Sequence, residues 1–182
     1  MRGFWRTSSC VGVAAFAALL ASAAGPVEPR FTGSNELVRP VGYREWVFVG
    51  SSLGLSYQEG QPRQDPKFHN IYLQPSAYQQ FRKTGEFPEG TILVMEIATP
   101  ASQVSINRSG QFQDRFIGIE AAVKDGSRFS EKWAYFSFIA DDGSAKKTAK
   151  AFPRDACWSC HNEHAAKDNV FSQFYPVLRH PE

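Results

Sequence analysis

Five consecutive residues, Cys157-Trp158-Ser159-Cys160-His161, set two thiols and an imidazole at a spacing that suits covalent haem attachment. One helical turn presents both sulfurs to the edge of a porphyrin, where they add across the vinyl groups as thioethers. The adjacent histidine then falls beneath the iron as proximal ligand. A redox-active dithiol and half of a zinc site are the other uses of a Cys-x-x-Cys pair. Zinc asks for four N or S ligands, and only His161, crowded against Cys160, and His164 stand close in sequence. The expected cofactor is therefore one covalently bound haem c, held by Cys157, Cys160 and His161, with His161 on the metal.

Other residues are candidates for the opposite haem face. Met95 is either a thioether sixth ligand, which would make a six-coordinate electron carrier, or a flexible apolar packer beside the ring. His69 is a second candidate ligand, with an ordinary partly exposed histidine as the alternative. Glu96 and Glu120 fall on strands and read either as proton-shuttling groups or as exposed sheet-face carboxylates. His164 lies one helical turn beyond His161, cannot reach the same iron, and reads as a surface residue or a proton relay. Asp168 either holds the proximal imidazole or caps a following helix. Phe171, Phe174 and Tyr175 cover the ring or the core.

The elements that must position these groups are legible in part. Tyr43 to Val49 opens the structured region as a short helix or a first strand, and Gly50 to Pro66 reads as loop. Lys67 to Leu73 reads as a strand with Phe68, Asn70 and Tyr72 on one face and His69, Ile71 and Leu73 on the other. Pro75 starts a helix through Ser76 to Lys83 that Gly85 stops. The turn Phe87-Pro88-Glu89-Gly90 leads into a strand from Thr91 to Ile97, and Thr99 to Asp114 reads as a polar loop. Strands from Arg115 to Lys124 and from Arg128 to Ile139 pair across Asp125-Gly126-Ser127. The fold class is α+β: an antiparallel sheet of four or five strands with packed helices and a C-terminal haem-attachment segment.

Residues 1–23 read as an export signal. Arg2 and Arg6 precede an apolar, Ala-rich stretch from Val11 to Leu20, and Ala21-Ser22-Ala23 has the small-residue pattern of a cleavage site. The expected location is the periplasm, where haem is attached covalently. Residues 24–40 read as a flexible arm, and residues 41–182 as one domain with one core. Without Arg2 and Arg6 the basic residues fall from 20 to 18, equal to the 18 acidic ones. A charge near zero gives no basis for nucleic-acid binding. Loss of Cys10 with the leader leaves only Cys157 and Cys160, so no structural disulfide competes for the haem thiols.

A haem motif at the end of a β-rich body is unlike the order of small helical cytochromes. The segments Tyr43-Arg44-Glu45-Trp46-Val47-Phe48-Val49-Gly50, Phe87-Pro88-Glu89-Gly90-Thr91, Cys157-Trp158-Ser159-Cys160-His161 and Val170-Phe171-Ser172-Gln173-Phe174-Tyr175-Pro176 resemble the cytochrome P-460 family and its non-cross-linked relative, cytochrome c-prime-beta. The resemblance spans Val41 to Arg179. It implies a β-rich homodimer and a five-coordinate haem whose open face meets small nitrogen compounds such as nitric oxide or hydroxylamine. Hydroxylamine-oxidising members join a lysine to the porphyrin, on the strand entered from the Gly-Thr turn. Here that strand has no lysine and Met95 stands in its place; Lys67 and Lys124 are the remaining candidates. The expectation is a mono-haem c-type cytochrome that binds or oxidises such ligands, served by a redox partner protein, with a six-coordinate electron carrier as the alternative.

Overall fold

The structure, a computed structural model, describes residues 27–56 and 64–179. The expected leader lies outside them. Five antiparallel strands form the main sheet in chain order: β2 (Val47–Leu53), β3 (Phe68–Leu73), β4 (Ile92–Ala101), β5 (Phe112–Lys124) and β6 (Trp133–Ser137). Helix α1 (Pro75–Thr84) crosses from β3 to β4, with Pro75 in its first turn and Gly85 in the left-handed conformation at its end. The motif-bearing helix α2 (Trp158–His164) and the short α3 (Pro176–Arg179) follow the sheet. This is the expected α+β architecture, with little helix.

Alternation along the strands divides the core in two. One face buries Trp46, Ile92, Val94, Ile119, Ala121, Val123, Phe136 and Phe138. The other buries Val49, Ile71, Leu73, Leu93, Trp133 and Tyr135 under Ala77 and Phe81 of α1, together with Phe87, Val170 and Leu178. Phe87 is 2% exposed, stacks on Phe81 at 4.4 Å and meets Trp133 edge-on at 6.1 Å. The predicted alternation of β3 holds: Tyr72 packs on the first face, and Ile71 and Leu73 on the second.

Several expected boundaries move. The segment from Tyr43 is both a helix and a strand, a 3-10 turn over Tyr43–Glu45 running directly into β2. Strand β2 continues through Gly50 to Leu53, where a loop was expected, because it pairs with β3 as far as Phe68. The polar stretch 99–114 is loop only at its centre, since main-chain pairing extends β4 to Ala101 and starts β5 at Phe112. Strand β6 is shorter than expected, starting at Trp133 after a turn that the Asp125 side chain organises through bonds to the backbone of Ser127 and Arg128.

The segment expected to be a loose arm is docked from Phe31 onward. A two-residue strand β1 (Leu37–Val38) pairs with β7 (Thr148–Ala149), Leu37 is fully buried, and Thr148 Oγ1 donates to Glu36 at 2.7 Å. Leu37 and Phe31 supply the apolar anchorage that the polar composition around them conceals.

Candidate functional site

Helix α2 starts one residue after Cys157 and carries Cys160 and His161 in its first turns. Two main features lock it against the sheet. Trp158 Nε1 donates to the Glu131 carbonyl at 3.1 Å, and the Trp158 ring lies under the Arg154 guanidinium at 4.4 Å. Cys157 is half-buried against the second core cluster, whereas Cys160 is exposed; both are free thiols in the chain alone. Burial, aided by the nearby Glu120 carboxylate, pushes the Cys157 thiol up to about 11.

His161 is the best-defined group. Its ring lies between Tyr135, at 4.3 Å, and Phe171, at 4.6 Å, and Phe171 in turn stacks on Phe174. Nδ1 is 2.8 Å from the carbonyl oxygen of Asn169, which also accepts the Tyr135 hydroxyl at 3.1 Å. That bond fixes Nδ1 as the protonated nitrogen and leaves Nε2 as the one available to a metal. Burial lowers the imidazole pKa, against the opposing pull of the Asn169 carbonyl, so the ring favours the neutral form that ligates iron.

The Asn169 carbonyl is aimed by an uncommon backbone. Asp168 and Asn169 both take positive φ, 45° and 58°. Asp168 anchors the turn to the sheet, accepting from Lys124 Nζ at 2.7 Å and Trp133 Nε1 at 3.1 Å. Neither role expected for Asp168 is the one observed: it holds the turn, and its neighbour's backbone holds the imidazole. Sequence reasoning missed Asn169, because a main-chain acceptor has no residue signature; the Asp-Asn pair, tolerant of positive φ, is the one available hint.

Met95 lies on the sheet face that carries the motif. It is half-buried, packs against the same cluster as Cys157, and is the cross-strand partner of Ile71 and Glu120. His69, partner of Ile97, is on this face too. Glu120 is half-buried rather than an exposed carboxylate; burial raises its pKa against a hydrogen bond from Ser137. Glu96 is not exposed either. At 2% exposure on the opposite face, it accepts from Tyr43 Oη at 2.5 Å and Arg44 Nε at 2.7 Å. It therefore stands apart from Met95, Cys157 and His161. His164 is a surface residue, 3.7 Å from Glu163. Lys124 is committed to Asp168 and the Phe87 carbonyl, and Lys67 pairs with Asp65.

The donor set fits haem better than zinc. Among the described residues, no group of three or more His, Cys, Asp or Glu side chains is placed to hold a metal ion. What is present is one neutral imidazole held by a backbone acceptor, two free thiols on the same helical segment, and an apolar surface around them. Asn169 Nδ2 is in addition buried without a partner, a polar atom that the chain alone leaves unsatisfied.

A β-rich sheet with a C-terminal imidazole so arranged defines a class, the haem-binding cytochromes with a sheet in place of a helical bundle. The chain belongs to the Cytochrome P460 family, whose sequence profile matches residues 40–172. Membership implies a haem cofactor. No curated protein matches the chain.

Proposed function

We propose that this protein is a periplasmic mono-haem c-type cytochrome whose open or weakly occupied distal face binds or oxidises small nitrogen species, nitric oxide or hydroxylamine. The observation that carries the reading is the His161 imidazole, neutral through burial and oriented through Nδ1 by the Asn169 carbonyl. Cys157 and Cys160 would hold the haem as thioethers, and His161 Nε2 would ligate its iron. When bound, the haem supplies an iron that takes up a diatomic or an amine and exchanges electrons with a redox partner protein. Tyr135 and Phe171 keep water from the proximal ring and fix its plane. The second bond to the Asn169 carbonyl, from Tyr135, keeps that acceptor in place.

Ligand binding is favoured over hydroxylamine oxidation. Leu93, Met95 and Ile97 are the residues of β4 on the face that packs Cys157, and none can form the lysine link. Lys67 and Lys124 are engaged elsewhere. A second reading, a six-coordinate electron carrier, is favoured by one observation: Met95 is half-buried on that same face. The ferrous electronic spectrum separates the two. A broad five-coordinate high-spin spectrum that shifts on adding nitric oxide is expected. Sharp, split low-spin bands that collapse in a Met95→Ala variant would establish the carrier instead. In His161→Ala the haem stays covalently attached and the spectrum changes; an unchanged spectrum would refute the proximal assignment.

A further inference from the structure

The carbonyl oxygen of Asn169 takes two hydrogen bonds at once. His161 Nδ1–H donates to it at 2.8 Å and the Tyr135 hydroxyl at 3.1 Å. A carbonyl has two lone pairs, so both bonds form, but each draws on the same oxygen and leaves it a weaker acceptor for the other. The shared acceptor couples the Tyr135 hydroxyl to the electron density of the His161 ring.

Both partners are fixed without that hydroxyl. Alternation along β6 turns Trp133 and Tyr135 to the same face, where Tyr135 is buried, and the Phe152 backbone N–H donates to the Tyr135 carbonyl at 2.8 Å. The Tyr135 ring lies against His161 at a 41° tilt, a contact that a phenylalanine keeps. The hydroxyl is one hold on the Asn169 carbonyl among several. Val170 N–H donates to the Lys167 carbonyl across the turn at 2.7 Å, and Asp168 takes Lys124 and Trp133. Removing the hydroxyl alone therefore leaves ring and carbonyl in place and changes the number of donors on the oxygen.

We infer that Tyr135 is a positioning residue that sets the electron-donating strength of His161 through the Asn169 carbonyl. A hydrogen bond donated by Nδ1–H raises the basicity of the opposite ring nitrogen and its push onto a metal. By occupying part of the same acceptor, the Tyr135 hydroxyl holds that push down and so keeps the reduction potential of a His161-ligated iron up. The inference rests on the haem reading for its effect on the iron, whereas the competition for the carbonyl belongs to the chain without haem.

Tyr135→Phe tests it in two states of the full chain. In the haem-free chain the His161 Nδ1 proton, read by NMR, is expected to move downfield as its bond to Asn169 strengthens; an upfield move, or none, overturns the competition. In the haem-loaded protein the reduction potential is expected to fall with haem content unchanged. A rise, or no change, overturns the tuning role and leaves the hydroxyl a brace for the carbonyl. Replacing Tyr135 by a ring-fluorinated tyrosine, a more acidic and stronger donor of the same shape, is expected to shift both readouts the other way, and a shift in the same direction as Tyr135→Phe overturns the inference. Failure of the haem reading shows separately, as an unchanged spectrum in His161→Ala, and leaves the haem-free result standing.

Discussion

At the scale of single residues, burial shifts the titration of the site's groups toward their uncharged forms. Glu120 shows this most directly. Burial raises its folded-state pKa above the ordinary value of 4.5, so folding disfavours the charged form. The sign follows: in the haem-free protein, ionised Glu120 lowers stability at neutral pH, and the penalty fades as pH falls through the raised pKa toward the ordinary one. Glu120→Gln is therefore expected to raise the neutral-pH melting temperature of the haem-free chain and to flatten its rise on mild acidification, read by circular dichroism. Because Glu120 also helps to raise the Cys157 thiol, the same variant is expected to speed Cys157 alkylation. Alkylation of Cys157 at an unchanged rate would show that Glu120 does not act on the thiol.

Among the elements, the 3-10 turn at Tyr43–Glu45 and strand β4 are joined by a buried carboxylate. Glu96 takes Tyr43, Arg44 and, at 3.4 Å, Asn70, while the Arg44 guanidinium lies 4.4 Å over Phe116. Arg44 is 56% exposed, so removing Glu96 strands no buried cation, and the cost falls below the full range for a broken buried pair. Glu96→Ala is expected to cost about 2 kcal/mol in denaturant unfolding; a change under about 0.5 kcal/mol would mean the network only fills space. The same elements show how far the sequence could be read. The Pro75 start and Gly85 stop of α1 were legible because each acts through its own backbone. Glu96 was not, since a carboxylate on a strand looks the same whether it faces water or a tyrosine and an arginine about 50 residues away. The extensions of β4 and β5 were hidden for a related reason: the stretch from Thr99 to Asp114 is polar, and cross-strand main-chain bonds carry it.

For the whole molecule, the family was legible from a few short segments and the sheet from its alternation, but the closure of the chain was not. Leu37 sits among polar neighbours, and nothing near it in sequence announces β7, more than a hundred residues on. Yet the β1 and β7 pairing, with Glu36 on Thr148, ties the first described strand to the segment that leads into Cys157. A haem-loaded chain truncated to begin at Arg39 is expected to lose about 3 kcal/mol, chiefly from the buried Leu37 and the packed Phe31. Thermal melting checks this, and an unchanged melting curve would return the arm to the status of a tether.

The Asn169 carbonyl leaves a mark of its own on how this protein tolerates change. The hold on His161 is written in two dihedral angles rather than in a side chain, so a substitution scan at position 169 should sort residues by their comfort at positive φ, with glycine accepted and valine or isoleucine rejected, whatever their polarity.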